Sequence, residues 1–586
     1  MPMNHLTKRF IVITITGTLL LIILYHQYNP SHLPGLGKGL KDDYSKQNAS
    51  ITSQETLTKR KSRRGTTTTS SVKDVNTYMK SNFTIKTILK SPMTAISRNI
   101  IDRYYEYRQI KQVTDFKKLY DSRFSLVELI TAHDALTVGS KLRVRISLYN
   151  GYNHSLTQGG DLLNIWLRNK DGTSTVAGYV VDNLNGTYTG HVMAFWAGNV
   201  TIKVTVTNTK EGIGLYTNYV QEHGSYKFVN ATFVEGNRRE MTQCAPTMSH
   251  WLRHQYGGFC NLTEENYNIS LFCGKPKSVS CTNWVKYGWD GSLYYDENTK
   301  KILGYKDIVL KPIHLTIVPS SKEDLYFPIP KVPCNKFPPS LTWNSTVPSG
   351  FLFKGKYHNL LCQTTVDSTK ENYRTCLKNL TVISIGDSTT RQWFFRLSSI
   401  LGIRDSANIP EKGVWQKYAH AQSPRLGLDI EWQPHELPFH GTPGSDRKNI
   451  KSVSFRLDKI PAKSNAIVII HWFAHIARCC DHIALREHVR AAKVSIVKLL
   501  KRSPDVQIFI KGPHLITFLN ARKPYAYIGM FVEQVLLEEF KDLTDKIIYL
   551  DQWDMSVAKE NVNIHPKTVL DDISLNNLIN FACNIL

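Results

Sequence analysis

The spacing of apolar positions changes along this chain, and each change marks a different kind of element. Phe10 to Tyr25 is an unbroken apolar and hydroxylated run that follows Lys8 and Arg9. Such a run is too costly to expose and suits a lipid core, and its shortness fits a thin early-secretory bilayer. The basic flank stays in the cytosol, and no small-x-small cleavage site follows Leu24 and Tyr25. The pattern therefore predicts a cytosolic tail at 1–9, an uncleaved signal anchor at 10–25 and a lumenal remainder, a single-pass type II topology. Residues 26–110 are rich in Ser, Thr and Lys without a sustained apolar period, and read as a stem. Within it Lys59-Arg60-Lys61-Ser62-Arg63-Arg64 reads as a solvated linker or as a processing site whose cleavage would release the ectodomain.

Beyond the stem the period becomes two. Lys141 to Leu148 and Asn199 to Val206 alternate apolar and polar positions, and Asn183-Leu-Asn-Gly-Thr-Tyr188 marks a turn between them. Short strands separated by turn signals predict an immunoglobulin-like β-sandwich over 111–240. Residues 241–350 hold clustered cysteines with many Pro, Trp and Tyr, and read as an irregular, disulfide-stabilised bridge. From 351 to 586 strands and helices alternate. Strands are predicted at 380–385, 465–470, 506–510 and 546–550, and helices at 389–401, 483–501, 526–542 and 566–583. That order predicts a three-layer α/β domain with a parallel sheet, whose ligands bind at the carboxyl ends of its strands. The fold class is thus a multidomain chain: sandwich, Cys-rich region, α/β domain.

Composition sharpens the compartment. Ten cysteines, an even count, fit disulfides in an oxidising lumen, with Cys244, Cys260, Cys273 and Cys281 forming a small stapled module. Asn-x-Ser/Thr acceptors stand at Asn48, Asn82, Asn153, Asn185, Asn199, Asn230, Asn261, Asn268, Asn344 and Asn379. A net charge of +25 points to acidic partners such as sialylated or phosphorylated molecules, or anionic membrane. No basic array is concentrated on one helix, so nucleic acid is not implied.

The chemistry-bearing residues sit where the α/β pattern places a site. Gly386-Asp387-Ser388 joins the first strand of the domain to its helix. Ser388 then lies at a helix N-terminus, where backbone N–H groups favour a developing oxyanion. His565, between the last strand and the last helix, returns to the same edge and is the natural base. An ordinary turn and helix cap is the plainer reading of the same tripeptide. His471, His475, Cys479, Cys480 and His482 have a spacing that could suit a metal, but in an oxidising compartment they read as disulfide cysteines and rim histidines, so no metal is assigned.

At these residues a resemblance emerges. Val382-Ile-Ser-Ile-Gly-Asp-Ser-Thr-Thr-Arg-Gln-Trp393 resembles the first motif block of the PC-esterase branch of SGNH hydrolases, with Gly386, Asp387 and Arg391 as motif positions. Tyr549 to Met555 and Asn563-Ile-His-Pro566 resemble the C-terminal block of the NXPE family, which joins a neurexophilin-like domain to a PC-esterase domain. The resemblance covers about 90–586. It implies acyl chemistry on glycans, with Ser388 as nucleophile, His565 as proton carrier, and the N–H groups of Ser388 and Gly441 as oxyanion donors. Such enzymes usually carry an Asp three residues before the His. That position is Val562 here, and Asp554, Asp551 or Asn563 is left to orient His565, with Asp554 preferred. The Gly-x-Asn of the third block is absent, its place taken by His471-Trp-Phe-Ala-His475. The resulting expectation is a Golgi-resident, membrane-anchored glycan O-acetyltransferase with no bound cofactor, acetyl-CoA as donor and an anionic, sialylated acceptor. The alternatives are an O-acetyl esterase of the same fold, and a non-catalytic ligand or adhesion glycoprotein whose sandwich binds a cell-surface receptor.

Overall fold

The computed structural model describes residues 100–111, 113–289, 297–304, 308–320, 324–344, 347–403, 418–439, 445–517 and 524–583, all within the compact unit Val75–Leu586. The expected anchor Phe10–Tyr25, most of the stem, Asn48, Asn82 and Gly441 lie outside these residues. No helix among the described residues is long and apolar enough to cross a membrane.

Two sheets share the first core. One holds Leu126–Leu129, Lys141–Ser147, Tyr179–Asp182 and Thr187–Met193. Lys141–Ser147 buries Leu142, Val144 and Ile146 and exposes the residues between them more, as the period-two pattern requires. The other holds Leu162–Arg168, Thr175–Ala177 and Gly198–Asn208. It also recruits Ile308–Val309, Ile313–Ile317, Gly350–Phe353 and Lys356–Asn359. Much of the range expected to bridge two domains is therefore sheet. Its other part, with Val229–Glu235, builds a third sheet from Arg238–Ala245, Phe259–Asn261, Phe272–Gly274 and Trp284–Trp289. The disulfides Cys244–Cys273 and Cys260–Cys281 staple that sheet. Ser445–Asp446, from the α/β region, pairs at its edge. The boundaries at 240 and 350 thus follow composition and do not separate structural layers.

The C-terminal sheet has six strands: β1 (Thr381–Gly386), β2 (Ala419–Ser423), β3 (Leu428–Pro434), β4 (Ala466–Ile470), β5 (Gln507–Lys511) and β6 (Ile547–Leu550), in the order β2-β3-β1-β4-β5-β6. All neighbours are parallel except β2, which runs antiparallel to β3 at one edge. β4 is buried at every position, as a parallel strand covered on both faces must be. Five of the helices that flank it are α1 (Ser388–Leu401), α2 (His482–Arg502), α3 (Tyr525–Phe540), α4 (Trp553–Ala558) and α5 (Thr568–Ala582). The sequence pattern anticipates four strands and the long helices to within a few residues. It misses β2 and β3, whose polar residues interrupt any apolar run.

Covalent links tie these layers. Cys334–Cys362 and Cys376–Cys583 close two loops, the second joining the helix before β1 to the end of α5. Cys479 and Cys480 are bonded to each other. Their carbonyls accept from Tyr226 N–H and Tyr216 Oη, each at 2.9 Å, so this buried pair also anchors the helix Lys210–His223. The asparagines of the eight described sequons are exposed, except Asn230, which is half-buried.

The loop closed by Cys376–Cys583 spans 207 residues, against 21 for Cys260–Cys281. Loop-closure entropy assigns them about 5 and about 3 kcal/mol respectively. Double alanine replacement at Cys376 and Cys583 is expected to lower the urea midpoint more than the same change at Cys260 and Cys281, measured by equilibrium unfolding.

Candidate active site

The site begins where β1 ends. Gly386 lies against the next loop so closely that a Cβ there would meet His471 O and Thr390 Oγ1, each at 2.9 Å. Only glycine lets the β1 and β4 loops close together at this point. Asp387 follows as the N-cap of α1. Its Oδ1 accepts from Thr389 N–H at 2.8 Å and Thr389 Oγ1 at 2.7 Å, and its Oδ2 accepts from Ala474 N–H at 2.9 Å. The carboxylate thus ties the start of α1 to the loop after β4. Burial alone would raise its pKa. His471, His475, Lys511 and His435 around it win, and hold it well below the usual carboxylate range.

Ser388, the first residue of α1, is half-buried, and its Oγ lies 2.7 Å from His565 Nε2. With the hydroxyl donating, the imidazole is placed to take the proton. His565 itself is exposed. The carbonyls on either side of it are held: His514 Nε2–H donates to Ile564 O at 2.9 Å, and Gln392 Nε2 to Pro566 O at 3.4 Å. Asn561 Nδ2 donates to Leu515 O at 2.7 Å and to Asn563 O at 2.8 Å, closing the loop onto the segment after β5. Burial, with Lys511 adding to it, pushes His514 down to about 3, so it stays neutral with its proton on Nε2.

Of the residues proposed from sequence, the structure brings Gly386, Asp387, Ser388 and His565 together. Arg391 stacks its guanidinium over the Trp432 ring at 5.3 Å, one turn along α1. Asp554 has other work: its Oδ1 accepts from Met555 N–H at 2.6 Å and its Oδ2 from Ser349 N–H. Burial raises its pKa, and raises Asp551 well above the usual range, with Asp554 and Glu533 adding to the effect on Asp551. Val562, at the position where an Asp was sought, is 43% exposed. The histidine-cysteine cluster divides: the cysteines bond to each other, and His482 packs edge-on against Tyr104, 4.8 Å between ring centres.

Sequence reasoning missed Lys511, His514 and His435. Lys511 ends β5, and its fully buried Nζ donates to Thr389 Oγ1 at 2.6 Å and lies 4.9 Å from the centre of the Trp393 ring. Burial depresses it to about 8. The signal was Lys511-Gly-Pro-His514 at the carboxyl end of an apolar strand, where a doubly wound sheet places its functional side chains. His435 follows Pro434, which pairs with Gly386, so it stands beside Asp387 in register, and neither of its ring nitrogens has a hydrogen-bond partner among the described residues. Lys511, His514, Asp551 and Asp571 line a cavity of about 20 Å³, room for roughly one water.

Residues 357–583 match the family model described as NXPE family member 4-like, C-terminal domain. This segment is therefore similar to the C-terminal domain of NXPE family members. The matched segment runs from the hairpin strand before β1 to the end of α5 and contains both Ser388 and His565.

Asp571 gives a pH signature. Burial raises it to about 6, opposed by Lys511 and by the Trp393 Nε1–H that bonds its Oδ1 at 3.1 Å. A carboxyl whose folded pKa is raised favours folding at low pH, and that contribution is lost as pH rises from about 4 to about 6. Asp571→Asn keeps the Trp393 acceptor and is expected to remove about 2–3 kcal/mol of this pH dependence, read from unfolding curves between pH 4 and 7.

Proposed function

We propose that this chain is a lumenal glycan O-acetyltransferase working through an acyl-serine, built as a neurexophilin-like sandwich joined to a PC-esterase domain of SGNH type. The observation that carries the reading is the 2.7 Å contact of Ser388 Oγ with His565 Nε2, at a helix N-terminus and the carboxyl edge of a parallel sheet. Ser388 Oγ attacks the acetyl carbonyl of acetyl-CoA while His565 Nε2 takes its proton. The tetrahedral oxyanion is held by the N–H groups of Ser388 and, on this proposal, Gly441. Collapse expels the CoA thiolate, which receives the proton from His565 and leaves acetyl-Ser388. His565 then removes the proton of a sugar hydroxyl, whose oxygen takes the acetyl group, and returns that proton to Ser388 Oγ as the serine leaves. With water in place of the sugar, the same intermediate makes the chain an O-acetyl esterase.

An anionic acceptor such as a sialylated glycan suits the net charge of +25. Residence in the secretory pathway, in the Golgi as a type II protein, suits five disulfides and sequons whose described asparagines are exposed at seven of eight positions. One observation favours a non-catalytic ligand: the oxygens of Asp554 are engaged elsewhere and Val562 faces solvent. On that reading the sandwich binds a receptor and activity survives changes at Ser388.

Full-length Ser388→Ala expressed in cells should reduce glycan acetylation by about 10³-fold or more, with thermal stability changed by less than about 1 kcal/mol. His565→Ala should give a similar loss, and the double variant should be little worse than either, because the pair acts as a unit. Mass spectrometry of released glycans reads the outcome. Unchanged acetylation in cells that express only Ser388→Ala would sink the enzymatic reading.

A further inference from the structure

The loop that carries His565 is gripped by side chains nearly four hundred residues away. α4 ends at Ala558, and Glu560 follows with φ 51°, a left-handed conformation that a residue with a side chain adopts at a cost. Its carboxylate is held by three donors from the second sheet. Trp166 Nε1 and Lys203 Nζ each donate to Oε1 at 2.9 Å, and Arg168 Nη1 donates to Oε2 at 2.8 Å. Trp166 and Arg168 are alternate residues of one strand and so share a face, and Lys203 is the register partner of Trp166 on the neighbouring strand. Thr175 Oγ1 donates to Ala558 O at 2.7 Å, and Lys559 Nζ to Gly172 O at 3.3 Å. Three consecutive residues, 558 to 560, are thus fixed by the sandwich. Burial would raise the pKa of Glu560, but the bonds from Lys203, Arg168 and Trp166 lower it, so the clamp is ionised at neutral pH.

From Glu560 the chain reaches His565 in five residues. Along the way it meets the Asn561, His514 and Gln392 tethers, which hold carbonyls and leave the imidazole itself exposed.

We propose that Glu560, clamped by Trp166, Arg168 and Lys203, is a positioning residue for His565, so that the N-terminal sandwich is a working part of the active site. The inference rests on the acyl-serine reading of Ser388 and His565. It makes the segment 357–583, which matches the family model by itself, insufficient for activity, because the three donors lie outside it. It also makes the face of the sandwich around Arg168 and Lys203 a place where perturbation reaches the catalytic histidine without touching it.

The test uses the full-length chain in detergent and two independent readouts. A fluorophosphonate probe reports the nucleophilicity of Ser388, and deuterium exchange of peptides covering 559–566 reports how firmly the loop is held. Glu560→Gly is the informative variant, because glycine relieves the left-handed backbone while deleting the clamp. Its melting temperature should be unchanged or raised. Its labelling rate should fall about tenfold or more, because displacing a catalytic group by about 1 Å costs on that order. Exchange across 559–566 should accelerate. The double variant Arg168→Ala with Lys203→Ala should show the same loss, and Glu560→Gln, which keeps an acceptor oxygen, should recover most of the labelling. Wild-type labelling and exchange in Glu560→Gly would overturn the clamp. If the wild-type chain labels no faster than Ser388→Ala, the acyl-serine reading falls instead, and the exchange measurement alone still decides whether the sandwich holds the loop.

Discussion

A carboxylate taken out of water needs cations or N–H donors around it, and Asp387 has both. It sits at 1% exposure among His471, His475, His435 and Lys511, and accepts from two backbone amides and one hydroxyl. Those bonds connect parts of the chain that sequence separates. Thr389 starts α1, Ala474 belongs to the loop after β4, and Lys511, reached through the Thr389 hydroxyl, ends β5. Three parallel strands therefore end at one charge. Ser388 is the next residue along, so its position on the rim of the sheet follows from the cap. His471 and His514 stay neutral in spite of this charge, which favours their protonated forms: burial outweighs it, and Lys511 adds to the burial, so both are pushed down to about 3.

The second constraint is a strand with no exposed face. Leu162–Arg168 is buried at six positions, because its two faces belong to different cores. Leu163, Ile165 and Leu167 point into the sandwich, whereas Leu162 and Trp166 pack with the α/β domain. This is why the two domains share one hydrophobic cluster and why α4 settles against the sandwich. Tyr527 N–H, at the start of α3, donates to Asn208 Oδ1 at 3.1 Å and adds a polar pin to the same contact. The vicinal disulfide serves a related purpose: its carbonyls, directed at Tyr216 and Tyr226, hold the helix between the sheets to the loop below β4.

Much of this protein is legible in its sequence because local rules decide it. Period-two alternation gives Lys141–Ser147 one buried face, and short stretches dominated by apolar residues mark β1, β4, β5 and β6. Gly386-Asp387-Ser388 and His565 could be paired in advance because a parallel α/β order returns the chain to the same sheet edge after every helix. The even count of cysteines announces disulfides through composition alone, and all ten are paired. Tertiary structure decided what depends on distant partners. β2 and β3 carry His420, Asp429, Glu431 and Gln433, which break up any apolar run, and β3 takes its place by parallel pairing with β1. Strands from 308–359 join the sandwich across a long excursion that no periodicity announces. Above all, sequence offers Asp554 as the natural support for His565, whereas the folded chain spends Asp554 on Ser349 and Met555 and holds the histidine loop through Glu560 and His514. Spacing along a chain limits which residues can meet at one turn of helix or one edge of a sheet. Which carboxylate meets which donor is settled by packing, since a buried charge goes wherever the fold supplies it with hydrogen bonds.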